Sequence, residues 1–270
     1  MTSGFLIAQL VLYAPLTLPT LYLLFRHGHH GLLAWFYLLA FFVLRVTGAA
    51  MGLNDPHNVG AQIISSIGLS PLLLSIDGVL HEAKRTEWTF MALIHVLVAT
   101  GVAMVGVGAG GLLGDTPKPS DLSNIKVGMV LLEVAWGVLA LWGLWTLWNG
   151  TGRGRKSAGN RSAPAGLTAR EGWLTEEWYM LTQRCLETQL LTGTLLALAL
   201  VEISVVYMLV AEFTQRADLN PTTGSLAVRV VLGFFPELLA AIVLVFAGPY
   251  TASTRFYAQQ EVKRKLKKYI

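Results

Sequence analysis

The chain has 270 residues, 54% of them hydrophobic and only 13% charged, with a mean hydropathy of +0.56. A soluble domain carries about 25% charged residues, so an ordinary water-soluble globule is excluded and an all-α, polytopic membrane bundle is expected. The length suits one such bundle with short loops and no second globular domain. The lone cysteine, Cys185, excludes an internal disulfide and a cysteine-based metal cluster.

Apolar windows of about 20 residues, the length a helix needs to cross ~30 Å of hydrocarbon, fall at roughly 4–25, 31–53, 60–80, 88–112, 127–148, 187–212 and 228–250. The first lacks a basic flank before it and an A-x-A-like cleavage site after it, and reads as a retained helix carrying Pro15 and Pro19, which should bend it. The third is diluted by Gln62, Ser65, Ser66, Ser70 and Asp77 and should kink at Pro71, so a neighbouring helix has to cover the break. GAAMG at 48–52 offers small residues for close helix contact, and GVGAGGLLG at 106–114 reads as a loose helix end. The glycines of that second run do not form a phosphate loop, because no strand precedes them and no helix with a basic residue follows.

The connector at about 149–177 opens with the Gly/Ser/basic run NGTGRGRKSAGNRSAPAG and is expected to be flexible and cytosolic. LTEEWYMLTQRCLE then forms an amphipathic lead-in to the sixth span. The chain ends in a basic tail, 251–270.

Lysine and arginine orient the bundle. The connectors after spans one, three and five and the tail hold most of them, from Arg26, Lys84 and Arg85 through Arg153, Arg155, Lys156 and Arg161 to Lys263, Lys267 and Lys268. The opposite side holds Lys118, Lys126, Arg216 and Arg229. Positive charge stays cytosolic, so the N-terminus is expected outside or in a lumen and the C-terminus in the cytosol. Asn149 and Asn160 then lie in chance glycosylation motifs on the wrong side. The net charge of +4 reflects this topology and contact with anionic membrane lipid, with no call for nucleic acid. Lys267 and Lys268, fourth and third from the end in KRKLKKYI, match a dilysine retrieval signal of the endoplasmic reticulum, read by contact with a retrieval coat.

Ionisable residues inside the apolar runs mark the candidate site. Arg45, Glu133, Glu202 and Glu237 each sit where a charge costs ~2.5–3.5 kcal/mol on insertion scales, so each should face the bundle interior. With spans two, four and six running outward, all four and Gln62 fall in the outer half of the membrane, with Asn54, Asp55, Tyr207 and Arg229 at the same level or its rim. The expectation is an acid-rich pocket, set against separate structural pairs such as Arg45 with one glutamate. Three glutamates sharing one arginine should keep at least one carboxyl protonated. That acid could protonate an epoxide or alkene, with Glu133, Glu202, Glu237 and Arg45 as catalytic candidates and Gln62, Asn54, Trp136 and Tyr207 as substrate-binding candidates.

Trp136 and Trp142 could line a cavity, and Trp145 and Trp148 suit an interfacial belt. A second polar set lies toward the cytosolic side: Asp77, His81, Glu82, His95, Glu187 and Gln189, with His95 expected to pair with Asp77. HGHH at 27–30 lacks metal-ligand spacing and reads as a solvated loop.

FRHG at 25–28, LRVTGAAMGL at 44–53, IISSIGLSPLLLS at 63–75 and FFPELLAAIVLVFAG at 234–248 resemble a broad family of fungal seven-helix integral membrane proteins. The resemblance covers nearly the whole chain. Within that family the sequence is similar to the membrane-bound terpene and epoxide-opening cyclases of natural-product pathways, the ascofuranone and ascochlorin type. The resemblance implies acid-triggered opening and cyclisation of a lipophilic epoxide with no metal or redox cofactor. It supplies no catalytic motif residue by residue, so the candidate list rests on burial and depth. A proton-coupled or small-molecule transporter also needs intramembrane carboxylates and stands as the alternative. A seven-helix receptor shares the topology but lacks the cysteine pair that would staple an outer loop.

Overall fold

A computed structural model of the chain describes residues 3–55, 58–84, 88–114, 116–153, 169–221 and 223–248. The described secondary structure is helical, and seven helices are long and apolar enough to cross a membrane. They are Ser3–Arg26, Leu32–Asn54, Gly60–His81, Thr89–Leu112, Pro119–Trp148, Thr188–Thr214 and Leu226–Gly248, here spans one to seven. Their surface is that of a protein solvated by lipid: Leu18, Phe25, Val107, Leu141 and Phe246 are each more than 60% exposed.

Helical backbone is continuous over Ser3–Asn54, which contains spans one and two with Pro15 and Pro19 inside it. Yet the Tyr13 ring lies 5.5 Å from Phe41 and 5.9 Å from Phe42. A straight helix would separate positions 13 and 41 by about 42 Å, so the chain doubles back between the two spans and packs them as a hairpin. Tyr13, Trp35, Phe41 and Phe42 are fully buried there, with Phe234 of span seven edge-on to Tyr13 at 5.6 Å.

Span three is the most enclosed, with 69% of its apolar window buried, and it contacts spans one, two, four, five and six. Its polar residues are therefore no obstacle: Ser70, Ser75 and Asp77 are at most 3% exposed and face protein rather than lipid. The expected break is real but falls before the proline. Helix Val59–Ile67, capped by the Asn58 side chain accepting from the Ala61 amide at 3.0 Å, ends at Gly68, and a second helix runs Leu69–Lys84. Pro71 has no N–H to give the Ile67 carbonyl. The Ser70 hydroxyl donates to that carbonyl instead, at 2.6 Å, so no acceptor is stranded at the kink.

Close helix approach depends on glycine at two places. A methyl on Gly78 would lie 2.7 Å from the Ala34 Cα, and one on Gly128 would lie 2.5 Å from the Gly101 carbonyl oxygen. Both contacts are with backbone, which cannot yield, so span three sits directly on span two and span five on span four. The run at 106–114 holds the end of span four, as expected, at Leu112, and its glycines are packing surface as well, since methyls on Gly108 and Gly111 would run into Asp121. A methyl on Gly48 of the GAAMG run would lie 3.0 Å from the Ile64 side chain of span three.

Span seven opens with a π-helical turn, Arg229–Phe234, that carries Arg229, Gly233 and Phe234 into the interior. Such turns concentrate at functional sites. The fifth helix continues to Arg153 and the sixth begins at Ala169, so both project into the stretch read from sequence as a flexible connector. Asn160, most of the basic run and the dilysine tail lie outside the described residues.

Candidate functional site

The chain brings its intramembrane charges together as two separate pairs. Arg45 of span two, 7% exposed, donates through Nη2 to Oε2 of Glu237 of span seven, 2% exposed. Three features hold the guanidinium there. The Phe41 ring lies 5.5 Å from Cζ, the Gly68 kink leaves room where a methyl would come within 2.8 Å of Cζ, and the Tyr13 hydroxyl lies within the field of both charges. Arg45 Nε and the Tyr13 hydroxyl make no hydrogen bond. A recess lined by Gln9, Gly48, Ala61 and Ile64 reaches Arg45, but its free space of about 10 Å³ admits no more than about one water. The pair is a buried tie between spans two and seven, closed to an organic substrate in this conformation.

Glu133 of span five and Glu202 of span six form the second pair. Their carboxyls are within hydrogen-bonding reach of each other, neither Oε2 has a donor, and no cation is paired with either among the described residues. Both side chains are half-buried, at a seam flanked by the exposed Val130, Val134 and Ile203. One turn along, the Trp136 indole N–H donates to the Leu198 carbonyl at 2.9 Å and fixes span five against span six beside the acids.

Helix geometry explains why the two pairs stay apart. Ser204 donates to the Gly233 carbonyl at 3.0 Å, so that face of span six meets span seven. Glu202, two residues earlier, is turned about 200° from Ser204 and faces span five. The single acid-rich pocket anticipated from sequence is thus divided, and Arg45 pairs with one glutamate, Glu237, as in the alternative of separate structural pairs.

The remaining candidates scatter. Asn54 is exposed at the end of span two, and Gln62 is half-buried on the helix before the kink. Tyr207 is 6% exposed, with its ring where a methyl added to Gly233 would touch it at 3.5 Å, and lies in the field of Arg229 rather than beside either glutamate pair. Trp142 stacks on Phe90 at 4.7 Å, and Trp145 and Trp148 are exposed.

His95 Nδ1 lies 3.2 Å from Asp77 Oδ2 and 2.9 Å from the Met91 carbonyl, the pairing expected from sequence, with the Tyr37 ring 5.5 Å away. Among the described residues no three His, Cys, Asp or Glu converge on a metal position. The side chains of HGHH, Glu82 and Glu187 lie outside the described set.

Sequence reasoning named Arg229 only as a rim residue. It is 6% exposed, its guanidinium stacks on Phe5 at 4.9 Å, and Nε has no partner. The signal that would have found it is the basic residue four positions from a helix start with no acid near it in sequence.

No curated protein and no solved structure matches the chain. A family model matches residues 1–161, more than half of the chain, including Arg45, Glu133 and Trp136 but ending before Glu202, Tyr207, Arg229 and Glu237. The chain, a multi-pass bundle with seven candidate spans, belongs to the family described as domain of unknown function DUF7702.

Proposed function

We propose that the protein is a membrane-bound cyclase of secondary metabolism that opens a lipophilic epoxide by proton transfer, with the Glu133–Glu202 pair as its acid. The observation that carries this reading is two neighbouring carboxyls on facing spans with no cation paired to either among the described residues. Two adjacent carboxylates repel strongly in a low dielectric, and the economical state is one carboxylic acid and one carboxylate sharing a proton. Such a pair gives up a proton to an epoxide oxygen as its C–O bond breaks. The carbon left electron-poor is captured by an alkene or hydroxyl of the same substrate, and the proton lost on ring closure returns to the carboxylate. The sum is an isomerisation that consumes no co-reactant.

Access supports the assignment. The acids are half-buried beside the lipid-exposed Val130, Val134 and Ile203, so an apolar substrate in the bilayer lies near them, and Trp136 is held one turn away with a π-face suited to a developing cation. Arg45 and Glu237, sealed from substrate, serve as a tie that keeps spans two and seven in register. A proton-coupled transporter would use the same acid pair, and the two readings differ in covalent change. Membranes containing the protein, made permeable so that no gradient exists, are expected to convert a terpenoid or polyketide epoxide to a cyclic isomer of equal mass. Recovery of unchanged epoxide across a panel of such substrates would favour transport.

The same reading puts the N-terminus in the lumen and the C-terminus in the cytosol of the endoplasmic reticulum, supported by the loop charges and by Lys267 and Lys268. A tag after Ile270 should be accessible to antibody when only the plasma membrane is permeabilised. A tag protected under those conditions would reverse the orientation.

A further inference from the structure

We infer that Arg229 and Tyr207 form an anion-binding site for the head group of an amphiphile, a carboxylate or phosphate carried on an apolar chain. The proposal stands independently of the reaction assigned to Glu133 and Glu202. Arg229, in the π-helical turn of span seven, and Tyr207, near the end of span six, are each 6% exposed. Arg229 Nε and the Tyr207 hydroxyl are buried without a hydrogen-bond partner, and the two groups are close enough to interact electrostatically. A guanidinium has five donors in a planar fork suited to two oxygens of one anion. Here its recorded side-chain support is the Phe5 ring at 4.9 Å.

The described carboxylates near this end are otherwise engaged. Glu237 holds Arg45, Asp218 accepts from Arg216 at 2.8 and 3.1 Å, and Glu212 accepts from Gln215 at 3.2 Å and lies in the field of Lys126. Arg216, exposed and paired, lowers the pKa of the Asp218 carboxyl below the usual carboxylate value, chiefly through their hydrogen bonds. Arg229 has the opposite character. Burying a cation without an anion is costly, and an incoming oxyanion would recover that cost. The site sits where span one begins, span six ends and span seven begins, beside the exposed Val206, Val210 and Leu226. An apolar chain attached to the anion would run along these residues in the lipid.

The test is thermal unfolding of the full chain in a non-ionic detergent, with dodecanoate, dodecyl phosphate and dodecanol as probes and with phosphatidic acid against phosphatidylcholine in mixed micelles. The anionic probes should raise the midpoint, and dodecanol and phosphatidylcholine should not. A response to phosphatidic acid alone identifies a bilayer lipid, and a response to the dodecyl anions identifies a single-chain amphiphile. Arg229→Gln should weaken binding about tenfold or more, Tyr207→Phe about three- to tenfold, and Arg216→Gln should leave it unchanged. Equal shifts with dodecanol would overturn the proposal. So would undiminished binding by folded Arg229→Gln or, should that variant not fold, by Tyr207→Phe.

Discussion

Replacing Glu133 or Glu202 with glutamine is expected to lower epoxide conversion by about 10²–10⁴ while leaving the amount of folded protein near that of the parent. Either variant keeps the shape of the seam and removes one of the two carboxyls that share the proton. Glu133→Gln leaves Glu202 without the neighbouring charge that favours its protonated form, so both single variants should fail to a similar extent and the double variant little further. Rates are to be measured per folded molecule in isolated membranes. Glu237→Gln should act mainly through protein level, because its carboxyl is sealed against Arg45. A loss of turnover in Glu237→Gln with full folding, and none in Glu133→Gln or Glu202→Gln, would move the acid to the other pair.

The second large effect is on stability. Arg45→Met leaves the Glu237 carboxylate, 2% exposed, buried without its cation. Breaking a buried pair on one side costs about 3–5 kcal/mol, whereas replacing both partners by apolar groups of similar volume is often neutral. Arg45→Met should therefore unfold at a markedly lower temperature, and Arg45→Met with Glu237→Leu should recover most of the loss. The interaction energy from this cycle separates a pair from two independent polar defects. If the double variant is as unstable as the single one, the tie between spans two and seven is not electrostatic.

The spans were legible because bilayer thickness acts on local sequence. Seven apolar stretches of the required length are visible one at a time, and the structural bounds differ from the sequence windows by a few residues except at the start of span five. The kink in span three was legible from Pro71: a proline leaves the carbonyl four residues earlier without its donor, and the break accordingly follows Ile67, at Gly68, where Arg45 needs room. The packing role of the glycines at 106–111 was not legible, because glycine serves equally as a helix end and as a contact surface, and only the neighbouring Asp121 and Ile125 reveal the second use.

Pairing among the acids was not legible. Depth along each helix can be counted from sequence, but rotation about its axis cannot when the helix is apolar on every side. Arg45 with Glu237 and Glu133 with Glu202 differ from the other possible combinations only in that rotation. The burial of Arg229, read from sequence only as a rim residue, was not legible for a related reason: it comes with the π-helical turn of span seven, which leaves no mark in the hydrophobic pattern.

Whether Glu133 and Glu202 share a proton can be read by infrared spectroscopy of the purified protein at neutral pH. The carbonyl stretch of a protonated carboxylic acid is read in the parent and in three single glutamine variants. The parent should show such a band, Glu133→Gln and Glu202→Gln should each lose it, and Glu237→Gln should keep it. A parent with no carboxylic-acid band, or a band that persists in both Glu133→Gln and Glu202→Gln, would contradict a shared proton.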